Sequence, residues 1–254
     1  MATRSHSNTL RILQLTDPHL FADRDQALRN TVSWQSLSAS IEHYRASEWT
    51  ADLVYLTGDL VQDDSREAYR NLRTLVDRIG LPVHVVPGNH DVPELMRQEL
   101  KDYASCSTID ASGWRIVGID SHEPGVASGR VGSDELQRLR KLLAASNHPV
   151  AIFMHHPPVK VGSAWLDGVG LDDRADFLDV VNESNVVRLI VFGHVHQAFD
   201  NEDRNLRIIG TPSTGRQFKP GSRDFAVDHR PPAYRQLEFG TDGSFNTRLV
   251  WVNA

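Results

Sequence analysis

An α/β sandwich, two sheets with helices on the outside, is the architecture this sequence predicts, and three observations carry it. Short apolar runs alternate with longer amphipathic segments over the first two-thirds of the chain, the pattern of helices layered on sheet. From Gly193 onward the helical pattern stops and strand-like runs separated by turns take over. No repeat, low-complexity tract or linker interrupts the 254 residues, so one domain over 1–254 fits better than two.

Along the chain, "RILQLT" (Arg11 to Thr16), "DLVYLT" (Asp52 to Thr57), "VHVVP" (Val83 to Pro87), "VAIFM" (Val150 to Met154) and "RLIVF" (Arg188 to Phe192) are the expected buried strands. Helices are expected between them, over Thr31 to Ser47, Ser65 to Ile79, Pro93 to Tyr103, Ser133 to Ser146 and Asp172 to Glu183. In the fourth, Ser133 is the expected N-cap, followed by an acidic first turn. "TIDASGWRIVGID" reads as a hairpin turning at Ala111-Ser112-Gly113. "NLRIIGTP", "YRQLEFG" and "FNTRLVWV" are expected as antiparallel strands.

Composition narrows the function. With 40% hydrophobic and 24% charged residues the chain is an ordinary globular protein, and no apolar run approaches the ~18 residues of a membrane span. The N-terminus lacks a signal-peptide core, so a cytoplasmic protein is expected. A net charge of -6, from 27 basic and 33 acidic residues, gives no basic field to gather a nucleic-acid polymer. An anionic substrate must then be met locally. The lone Cys106 forms no intrachain disulfide and lies outside every motif. Histidine is the unusual component: six of the 12, His19, His90, His155, His156, His194 and His196, fall in four short clusters.

Each cluster, and one acidic site, follows an expected strand: Asp17-Pro18-His19, Gly58-Asp59, Gly88-Asn89-His90-Asp91, His155-His156-Pro157-Pro158 and Gly193-His194-Val195-His196. In open α/β sheets ligands sit at the carboxyl ends of strands, so five strand ends deliver carboxylate, amide and imidazole groups to one rim. One zinc takes about four ligands, whereas two ions sharing a carboxylate would use all seven. Residues two apart in Asp-x-His and His-x-His can face the same way. The glycines before Asp59, Asn89 and His194 permit sharp exits. Taken alone, Asp-x-His is weak and "GNHD" could cap a helix with Pro93 in its first turn. Five such signals in order point to a metal site.

The series D-x-H, G-D, G-N-H-D, H-H-P and G-H-x-H resembles the calcineurin-like metallophosphoesterase superfamily. "LQLTDPHLFAD", "TGDLVQD", "VPGNHD", "MHHPPVKVGSAWLDG" and "TPSTGRQFKPGSRDFAVDHRPPAYRQLE" are similar to its class III cyclic nucleotide phosphodiesterases, over roughly Leu13 to Glu238. The resemblance implies a four-layer α-β-β-α sandwich and hydrolysis of 3',5'-cyclic AMP, a small-molecule cyclic nucleotide, to 5'-AMP. It further implies that Asp17, His19, Asp59 and His196 hold one metal ion and that Asp59, Asn89, His155 and His194 hold the other, with Asp59 bridging. By the family's H-x-P pattern His155 is the ligand and His156 a neighbour behind it. The ions expected are divalent or mixed-valence, Fe and/or Mn, with Zn and Co also compatible with oxygen and imidazole donors. His19, Asp59, Asn89, His90 and His196 would line the phosphate position.

In this reading a metal-bridging hydroxide attacks phosphorus, and His90 protonates the leaving oxygen or holds a phosphoryl oxygen. Two divalent cations, two carboxylates and a hydroxide leave about +1 at the site, attractive to an anionic diester. Trp165, in "GSAWLDG", is a candidate stacking surface for the purine or else a packed loop anchor. In related serine/threonine phosphatases an Asp three residues after the bridging Asp supports the catalytic His. Here Gln62 stands at that spacing, which leaves Asp63 and Asp91 as the candidates to orient His90. The metal core also suits a glycerophosphodiester or a 2',3'-cyclic nucleotide, and monomer and dimer are both open. A non-catalytic scaffold on the same fold is disfavoured, because neither a ligand nor His90 is missing.

Overall fold

The computed structural model describes residues 9–253. The N-terminal leader reading falls partly on residues 1–8, outside the described residues. In chain order the strands of the two main sheets are β1 (Thr9–Leu15), β2 (Leu53–Thr57), β3 (Val83–Val86), β4 (Ala104–Ser105), β5 (Thr108–Ala111), β6 (Trp114–Gly118), β7 (Val150–Phe153), β8 (Val187–Phe192), β9 (Phe199–Asp203), β10 (Leu206–Gly210), β11 (Ala233–Gly240) and β12 (Phe245–Trp251). The helices are α1 (Ser33–Ala46), α2 (Arg66–Val76), α3 (Pro93–Glu99), α4 (Gly132–Ala144), α5 (Ala164–Asp167) and α6 (Arg174–Asn182). One sheet has the order β12-β11-β1-β2-β3-β4 and the other β9-β10-β8-β7-β6-β5.

Side-chain alternation produces the layers. Leu10 and Ile12 of β1, Leu53 and Tyr55 of β2, and Ala151 and Phe153 of β7 point into the core between the sheets. Their neighbours Leu13, Leu15, Val54 and Leu56 face the opposite way and pack on residues of α1, α2 and α3, such as Leu37, Leu72 and Met96. Ile152 and Ile190 do the same on the second sheet, against Leu139 of α4 and Phe177 of α6. Two sheets, each covered by helices on its outer face, give the four-layer α-β-β-α sandwich that the sequence led us to expect. Among the described residues no helix is long and apolar enough to cross a membrane.

Two expectations need correction, and one strand was unforeseen. "NLRIIGTP" does form a strand, but β10 runs parallel to β8 and antiparallel to β9. No local pattern marks β9, because "FDNED" is a polar edge strand with four of five residues exposed. Ser133 is not the cap of α4; the helix starts at Gly132, and the Asp173 carboxylate accepts from Val131 N at 3.0 Å and Gly132 N at 2.8 Å. A cap supplied across forty residues of chain is invisible to local pattern. By contrast Ser65 caps α2 locally, accepting from Ala68 N at 3.1 Å.

Candidate active site

Strands β1, β2 and β3 run parallel in one sheet, as do β6, β7, β8 and β10 in the other. Asp17, Asp59, Asn89, His155 and His194 each lie two or three residues beyond a strand's carboxyl end, so both sheets feed one rim. The chain then turns sharply in an unusual way. Asp17 (φ 52), His19 (φ 47), Asp59 (φ 49), His194 (φ 65) and His196 (φ 45) all adopt the left-handed conformation. Side chains other than glycine visit that region rarely, at a cost of roughly 1–3 kcal/mol each, and such strain concentrates where function demands it.

The glycines serve differently from the expectation. Of Gly58, Gly88 and Gly193, Gly58 alone takes a positive φ, of 86. Gly88 and Gly193 are needed for close approach: a Cβ on Gly88 would lie 2.3 Å from Asp59 N and Oδ1, and one on Gly193 would lie 2.2 Å from Thr16 Oγ1. Buried polar contacts then fix the carboxylates. Thr16 Oγ1 donates to Asp17 Oδ2 at 2.6 Å, and His194 N donates to both Asp17 oxygens at 3.0 and 3.1 Å.

Two groups of donor atoms result. In the first, His196 Nε2 lies 3.1 Å from His19 Nε2 and 3.3 Å from Asp17 Oδ1, and His19 Nε2 lies 3.6 Å from Asp59 Oδ2. In the second, His155 Nε2 lies 3.3 Å from Asp59 Oδ1, 3.3 Å from Asn89 Oδ1 and 3.2 Å from His194 Nδ1. Asn89 Oδ1 is 3.0 Å from His194 Nδ1. Asp59 thus turns one oxygen toward each group.

These groups fit cations. His196 Nδ1 faces the carbonyl of Arg216 at 2.6 Å, and His155 Nδ1 faces that of Thr57 at 2.8 Å, so each Nδ1 must carry the proton. Each Nε2 then presents a lone pair to oxygens that also only accept. Acceptors converging on acceptors in a buried site require a positive charge between them. Asp17, His19, Asp59 and His196 form one compact metal-binding constellation, and His155, His156 and His194 form a second.

The titration behaviour agrees. Burial alone would raise Asp17, but the facing His196 imidazole holds it below the usual carboxylate range; burial likewise opposes and His155 reverses the effect at Asp59. Burial pushes His19 down to about 4 and His194 down to about 3, which keeps both neutral, as ligands must be. Burial also opposes a charge on His155, but Asp59 and Asp17 outweigh it and lift the group to about 9. A proton there answers the same crowd of acceptors that a metal ion would.

His90 sits apart from both groups. Its backbone N donates to Asp59 Oδ1 at 2.9 Å, and its ring packs edge-on against His19 with centroids 5.1 Å apart. Neither carboxylate expected to orient it does so. Asp63 accepts from Ala22 N at 2.7 Å and from Ser65 Oγ at 2.7 Å. Asp91 is buried, accepting from Gly88 N at 2.8 Å, Leu60 N at 3.2 Å and Tyr69 Oη at 3.1 Å, and burial pushes it up to about 7. Gln62 Nε2 is the group facing His90 Nδ1, at 3.2 Å. His156 is buried beside His155 and His194; its Nδ1 meets Ser121 Oγ at 2.9 Å while Nε2 has no partner.

The sequence pattern of the calcineurin-like phosphoesterases matches residues 10–198, most of the chain. The chain belongs to the calcineurin-like phosphoesterase family. A Pseudomonas aeruginosa protein named 3',5'-cyclic adenosine monophosphate phosphodiesterase CpdA is 34% identical, over 98% of this chain and 94% of its own. The Escherichia coli K12 protein of the same name is also 34% identical, over 94% and 89%. Among solved structures, a dimetal phosphatase from Danio rerio superposes with a TM-score of 0.68 at 16% identity, covering 96% of this chain and 99% of that one. Family membership and the two donor groups together imply a dinuclear divalent metal site.

In this phosphoesterase the donor groups open onto a cavity of about 280 Å³, bordered by His19, Asp59, Asn89, His90, His194 and His196. Its other wall is aromatic. Trp165, Phe218 and Phe225 meet edge-to-face with centroids 5.1 to 5.3 Å apart, and Phe218 stacks on the His196 ring at 4.1 Å and 10°. Phe225 is 42% exposed, and the Arg29 guanidinium lies 4.4 Å over its ring. Sequence reading found Trp165 of this wall. It missed Phe218 and Phe225, both on the segment between β10 and β11, and Arg29, on the segment before α1, and it passed over Gln62 as a departure from pattern.

Proposed function

We propose that this chain, as one metallophosphoesterase domain over 1–254, is a cytoplasmic enzyme that opens 3',5'-cyclic AMP to 5'-AMP. The observation that carries the reading is the single cavity joining an aromatic wall to two groups of metal donors, a shape for a flat base attached to a phosphodiester. Nearly full-length similarity to proteins named for that activity supports it.

Asp17, His19, Asp59 and His196 would hold one ion, and Asp59, Asn89, His155 and His194 the other, Asp59 contributing an oxygen to each. Fe and/or Mn suit these donors, as do Zn and Co. When bound, two divalent ions neutralise phosphoryl charge and make water nucleophilic at neutral pH. The chain's own residues do the remainder. Asn89 supplies an oxygen without a third negative charge, so the site keeps a positive balance for an anionic diester. His90 carries no metal in this assignment and donates its N–H to a phosphoryl oxygen or to the departing 3' oxygen. Thr57 and Arg216 carbonyls fix the tautomers of His155 and His196, and His156, whose Nδ1 meets Ser121 Oγ, would stand behind His155 rather than among the ligands.

The test is a steady-state comparison of 3',5'-cyclic AMP, cyclic GMP, 2',3'-cyclic AMP and glycerophosphodiesters with Mn- or Fe-loaded enzyme. The cyclic 3',5'-nucleotides should be preferred; a tenfold or larger preference for a non-cyclic diester, about 1.4 kcal/mol in transition-state binding, overturns the substrate. Stacking on Trp165 is tested by Trp165→Ala, which should raise KM for cyclic AMP by roughly tenfold and leave bis(4-nitrophenyl) phosphate little changed. Equal increases for both would remove Trp165 from base recognition.

A further inference from the structure

We propose that Gln62 is the positioning residue of His90: its amide N–H bonds Nδ1, which turns the imidazole N–H at Nε2 to the ligand and suits the site to singly charged phosphodiesters. The inference rests on the phosphoesterase reading above, in that it takes His90 to face the substrate.

Both ends of the contact are anchored. Gln62 N donates to Leu20 O at 2.8 Å and Leu20 N to Leu60 O at 3.0 Å, so the segment carrying Gln62 is pinned to the chain beyond β1. His90 is pinned by its own backbone N–H to Asp59 Oδ1 at 2.9 Å. Gln62 and His90 border the same cavity, and Gln62 Nε2 stands 3.2 Å from His90 Nδ1. The carboxylates of Asp63 and Asp91 are occupied elsewhere, by Ala22 N and Ser65 Oγ, and by Gly88 N, Leu60 N and Tyr69 Oη. Neither of these two carboxylates stands in for the amide.

The chemistry differs from that of an acid at this position. An ionised carboxylate only accepts, so it obliges Nδ1 to donate and stabilises a positive ring. An amide N–H does the reverse. Nδ1 becomes the acceptor, Nε2 keeps the N–H for the ligand, and the amide, unlike a carboxylate, adds no charge of its own beside the metal donors. A neutral N–H answers one anionic oxygen of a diester. A doubly charged monoester is better answered by a ring carrying full positive charge.

Nitrogen NMR of full-length, ¹⁵N-histidine-labelled, zinc-loaded protein reads the tautomer directly, with His90→Gln identifying the His90 signals. The expected spectrum has the proton on Nε2 in the wild type and moves it onto Nδ1 in Gln62→Glu; a wild-type ring protonated on Nδ1 overturns the proposal. Kinetically, Gln62→Ala should lower kcat for bis(4-nitrophenyl) phosphate by about tenfold with KM changed by less than about twofold and zinc content intact. Gln62→Glu should raise activity on 4-nitrophenyl phosphate relative to the diester by roughly tenfold. Unchanged kcat in Gln62→Ala, or an unchanged ratio in Gln62→Glu, sinks it. None of these readouts uses a nucleotide, so failure of cyclic AMP in the substrate comparison would remove the substrate and leave Gln62 standing.

Discussion

Asp59 presents Oδ1 to His155 and Oδ2 to His19, and the same Oδ1 accepts the backbone N–H of His90. One side chain therefore touches both donor groups and fixes the loop that carries His90. His90 itself contributes no atom to either group, so His90→Ala is expected to keep two metal ions by elemental analysis while kcat falls by about 10²–10⁴. Loss of metal alongside activity would place His90 among the ligands instead. Asp17, His19, Asp59, Asn89, His194 and His196 were legible at this scale because each follows a strand within a few residues, and chemistry that close in sequence shows as a motif. Gln62 was not, since its role depends on a partner 28 residues away and on which carboxylates are already engaged.

At the scale of elements, the exits from the strands decide whether the donors meet. β3 ends against β2, and Gly88 passes so near Asp59 that no side chain fits. Gly88→Ala is therefore expected to leave the circular dichroism spectrum native and weaken metal binding by roughly tenfold or more in competition with a chelator. Full affinity in that variant would show that the approach of the two loops can relax. The continuous apolar run of β2 and the buried stripe of α2 were readable from local pattern. The polar edge strand β9 and the Asp173 cap of α4 were not, because each is defined by a neighbour distant in sequence.

Across the whole molecule the site depends on the two sheets holding their relative positions. A buried polar chain crosses between them near the rim: Gln14 Nε2 donates to Thr57 Oγ1 at 2.9 Å, Thr211 Oγ1 to Gln14 Oε1 at 2.7 Å, and Arg235 Nε to Thr211 Oγ1 at 2.8 Å. Arg235 also donates to Gly210 O at 3.0 Å, and burial brings its guanidinium down to about 10. Donor groups drawn from both sheets should then be stabilised by the ions they hold. Removing metal with a chelator is expected to lower Tm by roughly 10 °C, restored on adding Mn or Zn; an unchanged Tm would mean that the donors are held apart without any cation. The order of motifs along the chain was enough to indicate the layered fold, the family and the side chains gathered at the rim, because hydrophobic period and strand-end chemistry are local properties. Which oxygen faces which imidazole, which amide meets His90, and which aromatic rings wall the cavity were settled by packing, because those contacts join residues from different loops and both sheets.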